Sequence, residues 1–183
     1  MSSDLRITRL TRADDEAALQ QLTDVLLDCV EGGASVSFMW PLPREQALDF
    51  WRRVAAGAEA GERILLVARD EADRIIGTVQ VVLAQPDNQP HRADIAKMLV
   101  HGRARRRGVG EALMRAAEAA ALQAGKTLLV LDTVTGSDAS RLYSRLGWLM
   151  AGHIPGYALW PRGGYCSTTY YYKPLEAGVP ALG

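Results

Sequence analysis

The sequence predicts a single mixed α/β domain, and three observations carry that expectation. Segments with alternating or unbroken apolar residues interleave with segments whose apolar residues recur every three to four positions. These are the periods of strand and helix, and the two kinds alternate along the chain instead of segregating into halves. One strand-like run, Ile95 to Val100, passes through a basic turn holding Gly108 and Gly110 straight into an alanine-rich helical stretch. The 183 residues suffice for one sizeable core, and 48% hydrophobic with 23% charged residues is an ordinary globular balance.

Taken in order, Leu5, Ile7 and Arg9 alternate with polar neighbours as a short first strand. Residues 11–14 offer helix caps, and Ala17, Leu19, Leu22, Val25, Leu26 and Val30 then fall on one helical face that Gly32-Gly33 ends. A loop rich in large apolar groups follows, from Ala34 to Trp40, closed by Pro41 and Pro43. It reads as a packed connection or as one wall of a substrate pocket. Residues 44–60 form a second helix, with Trp51 and Val54 on its apolar face. Residues 64–68 and 75–83 form a β-hairpin, 85–90 a loop, and 93–100 a fourth strand. Residues 111–124 are an amphipathic helix, 128–131 a buried strand, and 138–146 a short helix stopped at Gly147. Two further strands, 148–154 and 168–173, flank a long segment from Pro155 to Cys166 that carries Tyr157, Trp160 and Tyr165. That segment is expected to be a functional lid. The domain is assigned to residues 1–176, with a frayed tail at 177–183.

Composition narrows the function. Lys plus Arg and Asp plus Glu each number 21, so no global basic field gathers nucleic acid. Cys29 and Cys166 are too few for a disulfide framework and lack metal-ligand spacing, so no metal is expected. No apolar run approaches the ~20 residues of a membrane span, and a cytoplasmic home is the expectation.

The basic turn is the strongest chemical signal. A helix N-terminus has unpaired N–H groups and the positive end of a dipole, so it suits phosphate. Glycines at 108 and 110 would let a ligand approach the backbone, and Arg105, Arg106 and Arg107 add positive charge. A phosphate cradle, a nucleic-acid patch and a solvated basic turn all remain open on this stretch alone.

A second stretch makes the first specific. Arg105-x-x-Gly108-x-Gly110 after a strand, together with Ala139-x-x-Leu142-Tyr143-x-x-x-Gly147-Trp148, resembles the GCN5-related N-acetyltransferase superfamily. The resemblance spans residues 5 to about 174. It implies a mostly antiparallel sheet of six or seven strands, with strands four and five parallel but splayed, and about four helices. Residues 32–39, 131–133 and 154–157 resemble the tabtoxin-resistance type within that superfamily. Gly136 stands where the family often has Asn, His101 where an acidic residue is frequent, and Trp148 where Phe is commoner.

The resemblance implies acetyl-CoA as cosubstrate. Its pantetheine arm is expected on the backbone of Met98, Leu99 and Val100, and its pyrophosphate on the N–H groups from Arg106 through Val109 and Gly110 to Glu111. On this reading, single arginine changes weaken binding less than bulk at either glycine. Tyr143 is the candidate general acid, because a phenol can give its proton to the leaving thiolate. Asp94 and Asp132, both expected to face the cleft, share the work of holding or deprotonating the amine. Each has plain alternatives, as a strand-end carboxylate hydrogen-bonded to a turn or as an ion pair with a nearby arginine. Ser35, Phe38, Trp40 and Tyr157 are the expected acceptor contacts. The three histidines read as solvated, and neither cysteine has a visible base, which favours direct attack in a ternary complex.

The acceptor is expected to be a small-molecule amine, with an amino-acid-like toxin or antibiotic among the candidates. Two other functions stay open: a peptide or protein acetyltransferase with an open groove, and a non-catalytic acyl-CoA sensor. The resemblance also admits a homodimer.

Overall fold

A computed structural model of the chain describes residues 5–13 and 15–175. The expected cap at Asp14 and the expected tail at 177–183 lie outside the described residues. The element order is β1 (Arg6–Leu10), α1 (Glu16–Glu31), α2 (Arg44–Glu59), β2 (Arg63–Arg69), β3 (Ile75–Val82), β4 (Arg92–Val100), α3 (Val109–Gln123), β5 (Leu128–Val134), α4 (Asp138–Arg145), β6 (Leu149–Leu159) and β7 (Tyr165–Pro174). The seven strands make one sheet in the order β1-β2-β3-β4-β5-β7-β6.

Alternation in the strands sends their side chains into two cores. On one face Leu66, Ile95, Leu129 and Leu131 pack against Leu113, Met114 and Ala117 of α3, with Tyr143 and Trp148 beside them. On the other, Leu65, Val67 and Leu99 pack against Leu22, Leu26 and Trp51 of α1 and α2. The indole of Trp51 is completely buried. Asp15, one residue beyond the expected caps, starts α1 by accepting from the N–H of Ala18.

Two features of the sheet create the site. Every neighbouring pair is antiparallel except β4 and β5, which run parallel and pair over three rungs, from Arg92–Leu128 to Asp94–Val130. Past Asp94 the two strands part. The register between β3 and β4 explains the divergence: Gln80 faces Ala96 but Thr78 faces Leu99, so β4 carries one extra residue. That bulge holds Lys97 at φ +51°, and a bulge bends and twists its strand away from its neighbour.

The expected lid is not a loop. Residues 155–159 continue β6 across an irregularity between Ile154 and Ala158, and β7 already begins at Tyr165. The connection shrinks to residues 160–164, a turn in which Trp160 N–H donates to Gly164 O. Pro155 and Gly156 read as breakers, but a β-bulge accommodates both at a sheet edge.

Candidate active site

The gap between β4 and β5 opens into a cavity of ≈ 1380 Å³, above the ~300–1,000 Å³ of an ordinary ligand pocket. Met98, Leu99 and Val100 line one side of it, and Leu131, Asp132 and Thr133 the other. Beyond Asp94 the cleft-facing edge of β4 has no strand partner, so its backbone groups are available to an extended ligand. The family resemblance implies the pantetheine arm along this edge.

At the end of β4 the chain turns through residues 101–108 into α3. Asp28 of α1 anchors the turn, accepting from the N–H of Gly102 at 2.7 Å and standing 3.5 Å from the His101 imidazole. His101 also accepts the N–H of Arg103, so this imidazole is part of the turn and not a free solvated group. Gly108 caps α3 with φ +78° and no side-chain hydrogen bond, which leaves the first N–H groups of the helix open to an anion.

The two glycines, both of which line the cavity, are held by different constraints. Gly108 is required by its left-handed backbone, since a Cβ there would touch nothing within 4 Å. At Gly110 a Cβ would come 3.2 Å from Leu142 Cδ2 and 3.7 Å from Met98 Sδ. Its absence lets α3 close onto α4 and β4.

The arginines separate too. Arg106 and Glu111 line the cavity, but Arg107 is not among the lining residues. Arg105 folds back, donating from Nε to Val100 O and from Nη2 to the thiol of Cys29. Burial pushes the Cys29 thiol up, against the lowering effect of Arg105.

Tyr143 comes from α4, whose start is fixed by Ser137 Oγ accepting from Ser140 N–H. The phenol is 5% exposed and packs between Trp148 and Tyr171 while lining the cavity. Burial, and secondly the charge of Asp132, raise its pKa above the ordinary phenol value. The rest of the second motif supports it: Ser140 Oγ meets Tyr171 OH at 2.6 Å, and Trp148 Nε1 donates to Glu118. Ser137→Ala is expected to cost about 1 kcal/mol of stability through the lost cap, measurable as a shift in urea midpoint.

The two carboxylates part company. Asp132 lines the cavity, exposed, with one oxygen accepting from Thr168 Oγ1 at 2.8 Å. Asp94 does not line it. It sits on the last paired rung, and its carboxylate accepts from Arg92 and Gln85. The arginine partner considered as its plain alternative is Arg92, two residues away and on the same face.

Ser35, Phe38 and Tyr157 line the cavity as expected, but Trp40 does not. Trp40 lies outside, 47% exposed, with the Arg162 guanidinium 4.3 Å from its ring centre. It belongs instead to an arch. Ser35 Oγ donates to Leu159 O, Trp40 N–H to Pro161 O, and Arg162 to Glu31 O, joining the 34–40 loop to the β6–β7 turn. Cys166 is buried beneath, its thiol 3.6 Å from Ser35 Oγ.

Three lining or adjacent residues had no sequence signal. Tyr170 hydrogen-bonds the Tyr157 hydroxyl at 2.8 Å, and that bond, with burial and Asp132, pushes its pKa up to about 12. Thr168 holds Asp132. Lys97 projects from the bulge and donates to Ser37 Oγ at 3.0 Å. A motif scan finds none of them, because each is placed by strand pairing.

Among the described residues there is no cluster of side chains that could hold a metal, and no helix long and apolar enough to cross a membrane. The open α3 terminus, the left-handed Gly108 and the unpaired β4 edge together fit acetyl-CoA: phosphates at the first, the extended arm at the last.

Comparison with known proteins agrees. The model of the acetyltransferase (GNAT) family matches residues 19–148. An N-acetyltransferase from Staphylococcus aureus Mu50 superposes with a TM-score of 0.78 at 15% identity, over 95% of this chain and 100% of that one. A phosphinothricin acetyltransferase from Sinorhizobium meliloti, in complex with AcCoA, gives 0.76 at 20% identity over 98% and 91%. A ribosomal-protein-alanine N-acetyltransferase from Brucella melitensis gives 0.74 at 20% identity over 92% and 99%. These likenesses share a fold across different acceptors. With the family model covering most of the chain, and the splayed strands and cradle it requires in place, the chain belongs to the GNAT acetyltransferase family, which uses acetyl-CoA as its donor.

Proposed function

We propose that this acetyltransferase acts on the amine of a small molecule, by direct attack within a ternary complex. The observation that carries this reading is the arch. The 34–40 loop and the β6–β7 turn both line the cavity and are tied to each other by Ser35–Leu159 and Trp40–Pro161 hydrogen bonds. A polypeptide laid across the site would have to break those ties, whereas a small amine would not. The likeness to a phosphinothricin acetyltransferase, and the resemblance of residues 32–39 and 154–157 to the tabtoxin-resistance type, support a small amino-acid-like acceptor.

Acetyl-CoA supplies an activated thioester whose leaving group is a thiolate. The α3 terminus and Gly108 hold its phosphates, and β4 aligns its arm toward the acceptor side. Asp132 accepts a hydrogen bond from the amine and, being exposed, can pass the released proton to solvent. Tyr143 donates its proton to the departing sulfur, and the proton released by the amine through Asp132 and solvent restores the phenol, so the transfer ends with Tyr143 protonated. Asp94, bound by Arg92 and Gln85, contributes charge at the closed end of the cleft and touches no reactant. Neither cysteine is poised as a nucleophile: the Cys29 thiol is raised by burial, and Cys166 is buried against Ser35.

The test is CoA thiol release with a panel of small primary amines beside decapeptides carrying the same amine at their N-terminus or on lysine. Turnover confined to small amines is expected. Turnover of the peptides at comparable kcat/KM would contradict the reading.

A further inference from the structure

Lys97 is an ammonium placed at a backbone position that favours glycine. Its φ of +51° strains an ordinary side chain, and such strain persists where the surroundings or the function hold it. The side chain lines the cavity with Ser37, Phe38, Asp132 and Tyr157. Among the described residues its hydrogen-bond partner is one neutral hydroxyl, that of Ser37, and no carboxylate lies within 4.0 Å. The cavity cation Arg105, by contrast, is engaged by Val100 O and Cys29. A half-buried ammonium with donors to spare is placed to receive an anion from a bound molecule.

The cosubstrate's phosphates are a poor match for it. Lys97 precedes the end of β4 by three residues, roughly 10 Å at strand rise, and the phosphate cradle lies further on, at the start of α3. Burial lowers the pKa of Lys97 below the ordinary lysine value, and Asp132, the charge that faces it, partly opposes that shift. The cavity therefore presents a cation and an anion that are not in contact. A molecule with the opposite arrangement, an ammonium for Asp132 and a carboxylate for Lys97, completes both at once.

We propose that Lys97 is the receptor for a free carboxylate on the acceptor, which makes the acceptor an amino acid or a close relative of one. This rests on the small-amine reading above and narrows it. The Ser37 hydroxyl orients the ammonium, and the bulge is what points it into the cavity.

The experiment compares kcat/KM for the twenty L-amino acids with that for their carboxamides, in the full-length protein and in Lys97→Met and Lys97→Gly. Charge-assisted bonds of about 1.5–3 kcal/mol correspond to a roughly 10- to 150-fold preference for the free acid. Both variants are expected to lose that preference, with turnover of the acids falling by far more than turnover of the carboxamides. Lys97→Gly also relieves the backbone, so it keeps or gains thermal stability and separates a receptor from a structural lysine. Equal turnover of acids and carboxamides by the wild type would overturn the proposal, as would a variant that slows both equally. If no amine in either set is acetylated, the small-amine reading fails separately. The subsite is then judged by binding of glycine and N-acetylglycine to the CoA-loaded protein, using saturation-transfer NMR. Signals lost in Lys97→Met support the receptor, and no signal in the wild type contradicts it.

Discussion

Replacing Tyr143 by Phe is expected to lower kcat by about 10²–10⁴-fold while leaving the KM for acetyl-CoA nearly unchanged. The ring of Tyr143 packs between Trp148 and Tyr171, and Phe keeps that packing, so the loss isolates the hydroxyl. Burial first, and the Asp132 carboxylate second, hold the phenol in its protonated form well above neutral pH. The proton to be donated is therefore present throughout the working range. An alkaline limb in kcat below about pH 10 would have to come from another group. The same shift has a consequence for stability. The unfolded phenol ionises near pH 10 while the folded one does not, so its contribution is intact below that pH and declines above it. Steady-state kinetics of Tyr143→Phe from pH 6 to 10 check the first claim, and an unchanged kcat would remove Tyr143 from proton transfer.

Gly108→Glu is expected to abolish measurable acetyl-CoA binding, at least a 100-fold loss by isothermal titration. Two effects combine. A non-glycine residue at φ +78° costs about 1–2 kcal/mol, and a carboxylate at the helix start occupies the place meant for phosphate. Gly108→Ala carries the first effect alone and should lose far less. A Cβ at 108 meets no other atom within 4 Å, so Gly108→Ala leaves the packing undisturbed, and circular dichroism of both variants is expected to show the fold intact. Normal acetyl-CoA affinity in Gly108→Glu would refute the cradle.

The element order was legible in the sequence because helix and strand periods differ and each segment kept to one. Residues 128–131 and 75–83 had to be strands, and Gly32, Gly125 and Gly147 had to end helices. The parting of β4 and β5 was legible through resemblance alone. Its physical cause, an extra residue at Lys97, follows from the register of β3 against β4, and no glycine marks the spot. The expected lid was misread for a related reason. Pro155 and Gly156 look like breakers locally, yet β7 offers enough pairing on either side to carry the strand past them.

In the site, the two motifs lie on the strand, turn and helices that their spacing encodes, and Gly108, Gly110 and Tyr143 all line the cavity. Individual side chains fared unevenly. Trp40 turned outward to meet Arg162, Arg105 turned back onto α1, and Asp94 took a local partner in Arg92. Side-chain direction at a loop or strand end depends on long-range neighbours. Lys97, Thr168 and Tyr170 are the converse case: ordinary residues in the sequence, brought beside Asp132 by pairing across the sheet.

The central claim is that the acetyl group passes straight from the thioester to an amine held in the same cavity. Initial-rate kinetics with both substrates varied, paired with intact-mass analysis after incubation with acetyl-CoA alone, test it most directly. Intersecting double-reciprocal lines are expected, and a protein that stays unacetylated without an amine. Parallel lines, with an acetyl group found on Cys29 or Cys166, would contradict it.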